Sequence, residues 1–286
     1  MTNPVAGSSL CLVGPGRAGK AFARSWLEAK GWIEEVLART PEAAREGVKA
    51  IGAGTPCMLR EARADCDVLV LAVPDDAVAS TAAILSGRSR CRIAFHLAGA
   101  LPAAAIEPLK SSGAALASVH PARVFTGAAG ETWRDAFVAI EGEPPAVSQA
   151  LKIVEAVGGR PHSISSAAKP LYHAAATLAA GGAVALVSLA TRAWAEAGIP
   201  EGEARQALAD LAQQAAAAAR GRDFPEAFTG PVARRDLGTL AAHASALASR
   251  AEFLRLYELL ASETLRRTPG RGREEEIRRL LGRGRQ

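Results

Sequence analysis

A lysine and a histidine four residues apart, Lys169 and His173 in KPLYHAAA, stand at the head of a long uncharged run. On a helix, positions i and i+4 share one face. A lysine held in a partly buried cleft has a lowered pKa and can exchange a proton with an alcohol or imine. The plainer alternative is a helix-end lysine that reaches water. There are five histidines in all: His96, His120, His162, His173 and His243. His120, in SVHPARVF, ends an apolar run and precedes Pro121, which forces an extended turn. A histidine placed there can bind a carboxylate or carbonyl, or move a proton. His96 ends a similar run, FHLAGA, and is a candidate to bind substrate; His162 reads as a surface or strand residue. In TGPVARRD, Arg234 could reach an acid group of a substrate or pair with Asp236. The four cysteines, Cys11, Cys57, Cys66 and Cys91, show no paired metal spacing. The expectation is reduced, buried thiols and no metal.

A second set of residues is suited to phosphate. Gly14-Pro15-Gly16-Arg17-Ala18-Gly19 follows a short apolar run, SLCLV, and opens a helical stripe of Ala21, Phe22, Trp26 and Leu27. That is the strand-turn-helix context of a dinucleotide-binding turn. Gly14 permits the tight turn, Gly16 lets the backbone approach a pyrophosphate, and Gly19 lets the helix pack on the strand. NAD-preferring sites place Asp or Glu at the tip of the next strand. Here the tip, VLART, offers Arg39 and Thr40, and Glu34 and Glu35 lie too early. An arginine there can pair with a 2′-phosphate, so NADP is favoured over NAD. Val73 and Pro74, in AVPDDAV, would flank the ribose-nicotinamide, while Asp75 and Asp76 would cap the following helix. Ala98, in the small-residue segment HLAGA, would leave room for the nicotinamide ring.

These residues need a particular scaffold. Strand patterns at 9–13, 32–40, 66–73, 91–99, 114–120 and 135–142 alternate with helical stretches, and one more helix and strand close the series near residue 165. The alternation predicts an α/β fold, a doubly wound parallel sheet of Rossmann type over 1–165. Only helical periodicity follows, at 167–197, 201–221, 231–247 and 249–267, so an all-α domain is expected over 166–267.

Composition narrows the function classes. Apolar residues make up 49% and charged residues 22%, as in a globular protein. The net charge is +5, yet the tail 268–286 and the two residues before it carry eight arginines against three glutamates. That excess equals the charge of the whole chain, so the body is balanced and no nucleic-acid partner is expected. The tail reads as a frayed or partly helical end. The N-terminus lacks the features of a signal peptide, and a cytoplasmic protein is expected. Pro170 to Thr191 carries no Asp, Glu, Lys or Arg, enough length to cross a bilayer. Its Ala and Gly content drives insertion poorly, so no membrane partner is expected. The body of this helix is read as core, with Gly181 and Gly182 permitting close helix approach.

Taken together, CLVGPGRAG, LAVPDDAV, FHLAGA, SVHPARVF, KPLYHAAA and TGPVARRD resemble a bacterial Rossmann-like family with a C-terminal helical domain of unknown function. That family is similar to deazaflavin-dependent NADP oxidoreductases and to the 6-phosphogluconate and β-hydroxyacid dehydrogenases. The resemblance covers about residue 8 to residue 265. It implies a helical domain of the 6-phosphogluconate dehydrogenase C-terminal type, which would complete the site in a homodimer. The β-hydroxyacid dehydrogenases carry a catalytic lysine followed four residues later by asparagine. Lys169 matches the lysine, whereas His173 replaces the asparagine, and FHLAGA stands where their glycine-rich substrate loop would be. The resemblance therefore implies Lys169 as proton donor or acceptor without implying a 3-hydroxy acid.

The resulting expectation is an NADP-dependent oxidoreductase acting on a small carbonyl, alcohol or imine in a cleft between the two domains. Lys169 and His120 would move the proton and His173 would orient the substrate. The alternative is an NADP-binding sensor or scaffold without turnover.

Overall fold

The computed structural model describes residues 3–270 and 272–282. The chain forms two compact units, Met1–Ala180 and Gly181–Gln286. The division falls inside the long uncharged helix.

In the first unit the alternation read from sequence is present. The series runs β1 (Ser9–Val13), α1 (Arg17–Glu28), β2 (Trp32–Ala38), α2 (Pro41–Ile51), β3 (Thr55–Met58), β4 (Ala64–Asp65), β5 (Val68–Leu71), α3 (Val78–Leu85), β6 (Ser89–Arg90), β7 (Ile93–His96), β8 (Ala115–Pro121), β9 (Phe137–Gly142), α4 (Pro144–Ala156) and β10 (Arg160–Ser163). Eight strands form one sheet in the order β10-β9-β8-β7-β5-β1-β2-β3. The central strands β1, β5 and β7 are buried at every position, which is why they read as unbroken apolar runs. Phe22 of α1 packs edge-on against Phe95 of β7 and Trp133, with ring centroids 5.7 and 4.9 Å apart, and anchors α1 on one face of the sheet.

The sheet departs from the expected all-parallel form at one place. β8 and β9 pair antiparallel, from Ala117 opposite Gly142 to Pro121 opposite Val138. Their connection, 122–136, runs without a crossover helix, and only such a helix would have forced a parallel return. The chain order also reverses beside β1: β2 and β3 lie on one side, and β5, β7 and β8 on the other. The crevice at the carboxyl ends of β1 and β5 is where such sheets bind ligands.

The second unit is helical. α5 (Lys169–Glu196) enters from the first unit, followed by α6 (Glu201–Gly221), α7 (Phe224–Ala227), α8 (Pro231–Arg234), α9 (Leu237–Leu247), α10 (Ala251–Arg267) and α11 (Glu274–Gly282). The single helix expected over 231–247 is broken in two. Arg235 adopts a left-handed conformation (φ 59°), and Asp236 then caps α9 by accepting from the Thr239 amide and hydroxyl at 3.1 and 2.7 Å. The carboxylate offered in the sequence as a partner for Arg234 is thus used as a cap.

One further expectation is met and one is corrected. The tail is partly helical in its described part, the second of its two readings: α11 buries Ile277 and Leu281 against Leu240, Ala261 and Leu265. Of that tail, Arg271 and residues 283–286 lie outside the described residues. The body of α5 is not core. Leu171, Leu178 and Val184 are 77%, 75% and 72% exposed, and only 6% of the helix's most apolar window is buried within the chain. With a mean hydropathy of 1.7 over that window, the helix Ser166–Glu196 is long and apolar enough to cross a membrane. Alanine and glycine explain the misreading: an apolar sequence shows that water is unfavourable for a face, but not what covers it.

Candidate active site

The glycine turn lies at the carboxyl end of β1 and runs into α1. Gly14 has φ +84°, and a Cβ there would stand 2.7 Å from the Ala72 carbonyl oxygen, so no other residue fits. A Cβ on Gly16 would meet nothing within 4 Å. The protein's own packing does not demand that glycine; what it leaves is an unobstructed backbone above the helix N-terminus. Gly16 is also the N-cap of α1 and supplies no side chain to the first amides. Those amides, with the helix dipole behind them, form a cradle for a pyrophosphate. Pro15 packs on Gly47 of α2, Arg17 lies exposed beside Gly127, and Ala18 and Gly19 sit in the first turn of α1, where Gly19 comes closest to the Gly14 carbonyl.

Arg39 follows β2 directly, exposed and without an ion pair among the described residues. Thr40 caps α2, its hydroxyl accepting from the Ala43 amide at 3.2 Å. Val73 rests against Gly14, and Pro74 is exposed just beyond β5. The arrangement fits a dinucleotide with a phosphate on its ribose: open amides at α1, a free guanidinium beyond β2, and apolar residues beyond β5.

Two small-residue expectations change. His96 is fully buried, and both ring nitrogens are engaged by backbone: Nδ1 accepts from the Ala98 amide at 3.2 Å, and Nε2 lies 3.0 Å from the Pro102 carbonyl, to which it donates. Burial lowers its pKa to about 4, so it is a neutral structural histidine with no nitrogen for a substrate. Ala98 is buried too, and the space beside it is filled. A Cβ on Gly99 would stand 2.0 Å from His173 Nδ1, so Gly99 makes room for that imidazole and not for a nicotinamide.

The remaining polar residues converge beyond the same edge. β8 runs parallel to β7 with Ser118 opposite His96, which puts Ser118 and His120 at the carboxyl end. α5 delivers Lys169, Tyr172 and His173 to that place. Ser165 prepares the helix start by accepting from the Ala168 amide. Lys169 is fully buried and donates from Nζ to Ser118 Oγ at 2.6 Å. Burial lowers its pKa; Glu141 and Asp75 oppose that shift from a distance. An ammonium with one hydrogen-bond partner in a dry site is poorly satisfied, which favours the amine.

His120 Nδ1 is 2.9 Å from the Tyr172 hydroxyl, and its ring meets that of His173 edge-on at 5.2 Å. Burial, then His173 and Lys169, lowers the His120 pKa to about 4, so His120 is neutral near pH 7. The Tyr172 hydroxyl also lies 3.4 Å from the His120 carbonyl, to which it can donate, so which partner takes its proton follows the His120 tautomer. His173 Nδ1 is buried without a hydrogen-bond partner. That nitrogen packs against Gly99.

Tyr172 was not among the residues picked from sequence, although it lies between Lys169 and His173. Position i+3 from the lysine was the available signal. His162 is exposed on β10, and Arg234 belongs to the second unit, where its guanidinium donates to the Thr229 carbonyl. Among the described residues no group of three or more His, Cys, Asp or Glu side chains could hold a metal ion.

Known proteins match both halves of this chain. Residues 9–93 match the family model described as NADP oxidoreductase, coenzyme F420-dependent. Residues 136–264 match a domain of unknown function, DUF2520. These are the two halves of the resemblance drawn from sequence. Among solved structures, a suspected NADP oxidoreductase of Bacteroides fragilis is 20% identical with a TM-score of 0.72, covering 92% of this chain and 100% of its own. The Thermotoga maritima protein TM1727 is 25% identical, with a TM-score of 0.68 and coverages of 97% and 100%. A pyrroline carboxylate reductase of Plasmodium falciparum, solved with NADP bound, is 12% identical with a TM-score of 0.58 and coverages of 96% and 98%. These likenesses are of fold: a Rossmann unit followed by a helical domain. No curated protein sequence matches the chain.

Proposed function

We propose that the protein is an NADP-dependent oxidoreductase that interconverts a small carbonyl or imine with its reduced form, an alcohol or amine. The observation that carries this reading is the gathering of Lys169, Ser118, His120, Tyr172 and His173 beyond the same sheet edge that bears the glycine turn. NADP, when bound, supplies or accepts the hydride. The chain's own residues handle the proton. His120 and His173 are half-buried and touch the substrate oxygen or nitrogen, His173 orienting it. Lys169, closed off behind Ser118, holds the proton in reserve.

Cofactor choice tests the first half of this reading. NADPH is expected to bind more tightly than NADH, and Arg39→Ala should weaken NADPH about 10- to 100-fold with NADH unchanged, the worth of one charge-assisted contact. Fluorescence titration reads both; tighter NADH binding by the unaltered protein refutes the role of Arg39. A panel of carbonyls and imines, followed by NADPH absorbance, tests the second half. Tight NADPH binding with no turnover across the panel would favour a sensor.

The same reading places the chain in a homodimer. A second copy laid on α5 would cover Leu171 and Leu178, seven residues apart on one face, large apolar side chains of a kind that monomers rarely leave in water. Sedimentation should give a dimer, and Leu178→Glu should dissociate it. A monomer in the unaltered protein would refute this assembly.

A further inference from the structure

A second cavity, of about 830 Å³, lies at the opposite, amino edge of the first unit's sheet. It is built on the two-stranded ladder of β4 and β6, which pair in parallel, Ala64 with Ser89 and Asp65 with Arg90. Both strands end just before β5 and β7 begin, whereas the glycine turn follows β1. The length of a four-residue strand, about 13 Å at ~3.3 Å per residue, therefore separates the two places.

Period-two alternation makes the cavity basic. In Arg88-Ser89-Arg90-Cys91-Arg92 the serine and cysteine face inward and are buried, so all three arginines face out. On β4, Ala64 is buried, and Arg63 and Asp65 join the outer face. Arg92 is engaged, with Nε 3.0 Å from Asp67. Arg63, Arg88 and Arg90 make no ion pair among the described residues, and all three line the cavity.

The serines there are already used. Ser89 Oγ donates to the Leu85 carbonyl at 3.1 Å and accepts from Ser112 at 2.7 Å. Ser111 donates to the Pro108 carbonyl at 2.8 Å and accepts from the Gly87 amide at 3.2 Å. These bonds fix the floor and leave only guanidinium N–H groups for a ligand. Three free guanidinium groups beside one carboxylate, Asp65, leave a surplus of two positive charges. Planar two-pronged donors of that kind match phosphate oxygens.

We propose that this cavity is a second binding site, for a compact polyphosphate group, held by Arg63, Arg88 and Arg90 and distinct from the glycine turn. Like charges gathered on a ladder this short repel one another, and a polyanion relieves that repulsion. Nothing in the proposal depends on turnover.

The test is calorimetric titration of the full chain with inorganic triphosphate, alongside the variant Arg63→Ala/Arg88→Ala/Arg90→Ala. All three side chains are exposed, so the variant should fold, and its thermal midpoint checks this. One equivalent is expected to bind, with affinity at least about tenfold weaker in the variant and falling with salt. NADPH affinity should be the same in both proteins. The proposal is overturned if no saturable binding is seen, or if the variant binds triphosphate as well as its parent, which would place that ion at the glycine turn. It is also overturned if NADPH affinity falls together with triphosphate affinity, or if the chain retains single-stranded RNA but not triphosphate.

Discussion

Lys169→Met is expected to lower kcat by about 100-fold or more, the usual range for removing a proton-transfer group, while the thermal midpoint holds or rises. The two effects should part company because of how the lysine is held. Its ammonium has one partner, Ser118 Oγ at 2.6 Å, in a site with no exposure. Burial lowers its pKa below the free lysine value of 10.5, so the native state binds a proton less readily than the unfolded chain. Stability contributed in this way is present at high pH and falls as pH drops below 10.5; at neutral pH the lysine destabilises. Methionine has nearly the same length, needs no hydrogen bond, and leaves Ser118 able to donate to the Ala98 carbonyl.

A lysine that only filled space would leave kcat unchanged, the midpoint again holding or rising, so kcat is the reading that decides. The pH profile adds a second reading. In the reducing direction the protonated form is needed, so activity falls as pH rises through the lowered pKa of Lys169. That alkaline limb should vanish in the variant. If kcat and the limb both survive, Lys169 has no part in proton movement.

The fold was legible because strand burial imposes a two-sided apolar pattern that little else produces. β1, β5 and β7 could be read from SLCLV, VLVL and IAFH, and the glycine turn from its place between β1 and α1. The antiparallel β9 was not legible, because FVAIEG looks the same in either direction. In the site, the spacing of Lys169 and His173 and the His-Pro turn did point to one locus. His96 was misread for a physical reason. Its position at a strand end is shared with His120, and what separates them is the bend of 97–102, which brings the Pro102 carbonyl to one nitrogen and the Ala98 amide to the other. No periodicity records that bend. The exposed α5 shows a similar limit, since sequence reports a wish to leave water without naming the surface that provides it.

The helical unit offers the other large effect, and it rests on the arginine next to the one chosen from sequence. Arg235→Met should destabilise the second unit by about 3 kcal/mol or more. Arg235 is 6% exposed, and its guanidinium binds the Val232 carbonyl at 2.9 Å, the Gly272 carbonyl at 3.0 Å, the Thr268 carbonyl and hydroxyl at 2.6 and 3.1 Å, and Glu274 at 3.0 Å. One planar cation thereby joins the end of α8, the end of α10 and the start of α11. Methionine fills the volume but leaves the buried Thr268 carbonyl without its donor and Glu274 without its ion pair. Lysine restores the charge but not the fork, and should recover little of the loss. Because Ile277 and Leu281 of α11 complete the core of this unit, releasing the helix also exposes apolar surface. Trypsin should then cut readily at Arg273, Arg278 and Arg279, sites that the docked helix protects, and the thermal midpoint should fall by several degrees. A variant as trypsin-resistant as its parent, melting within a degree of it, would show that α11 is held by its apolar face alone.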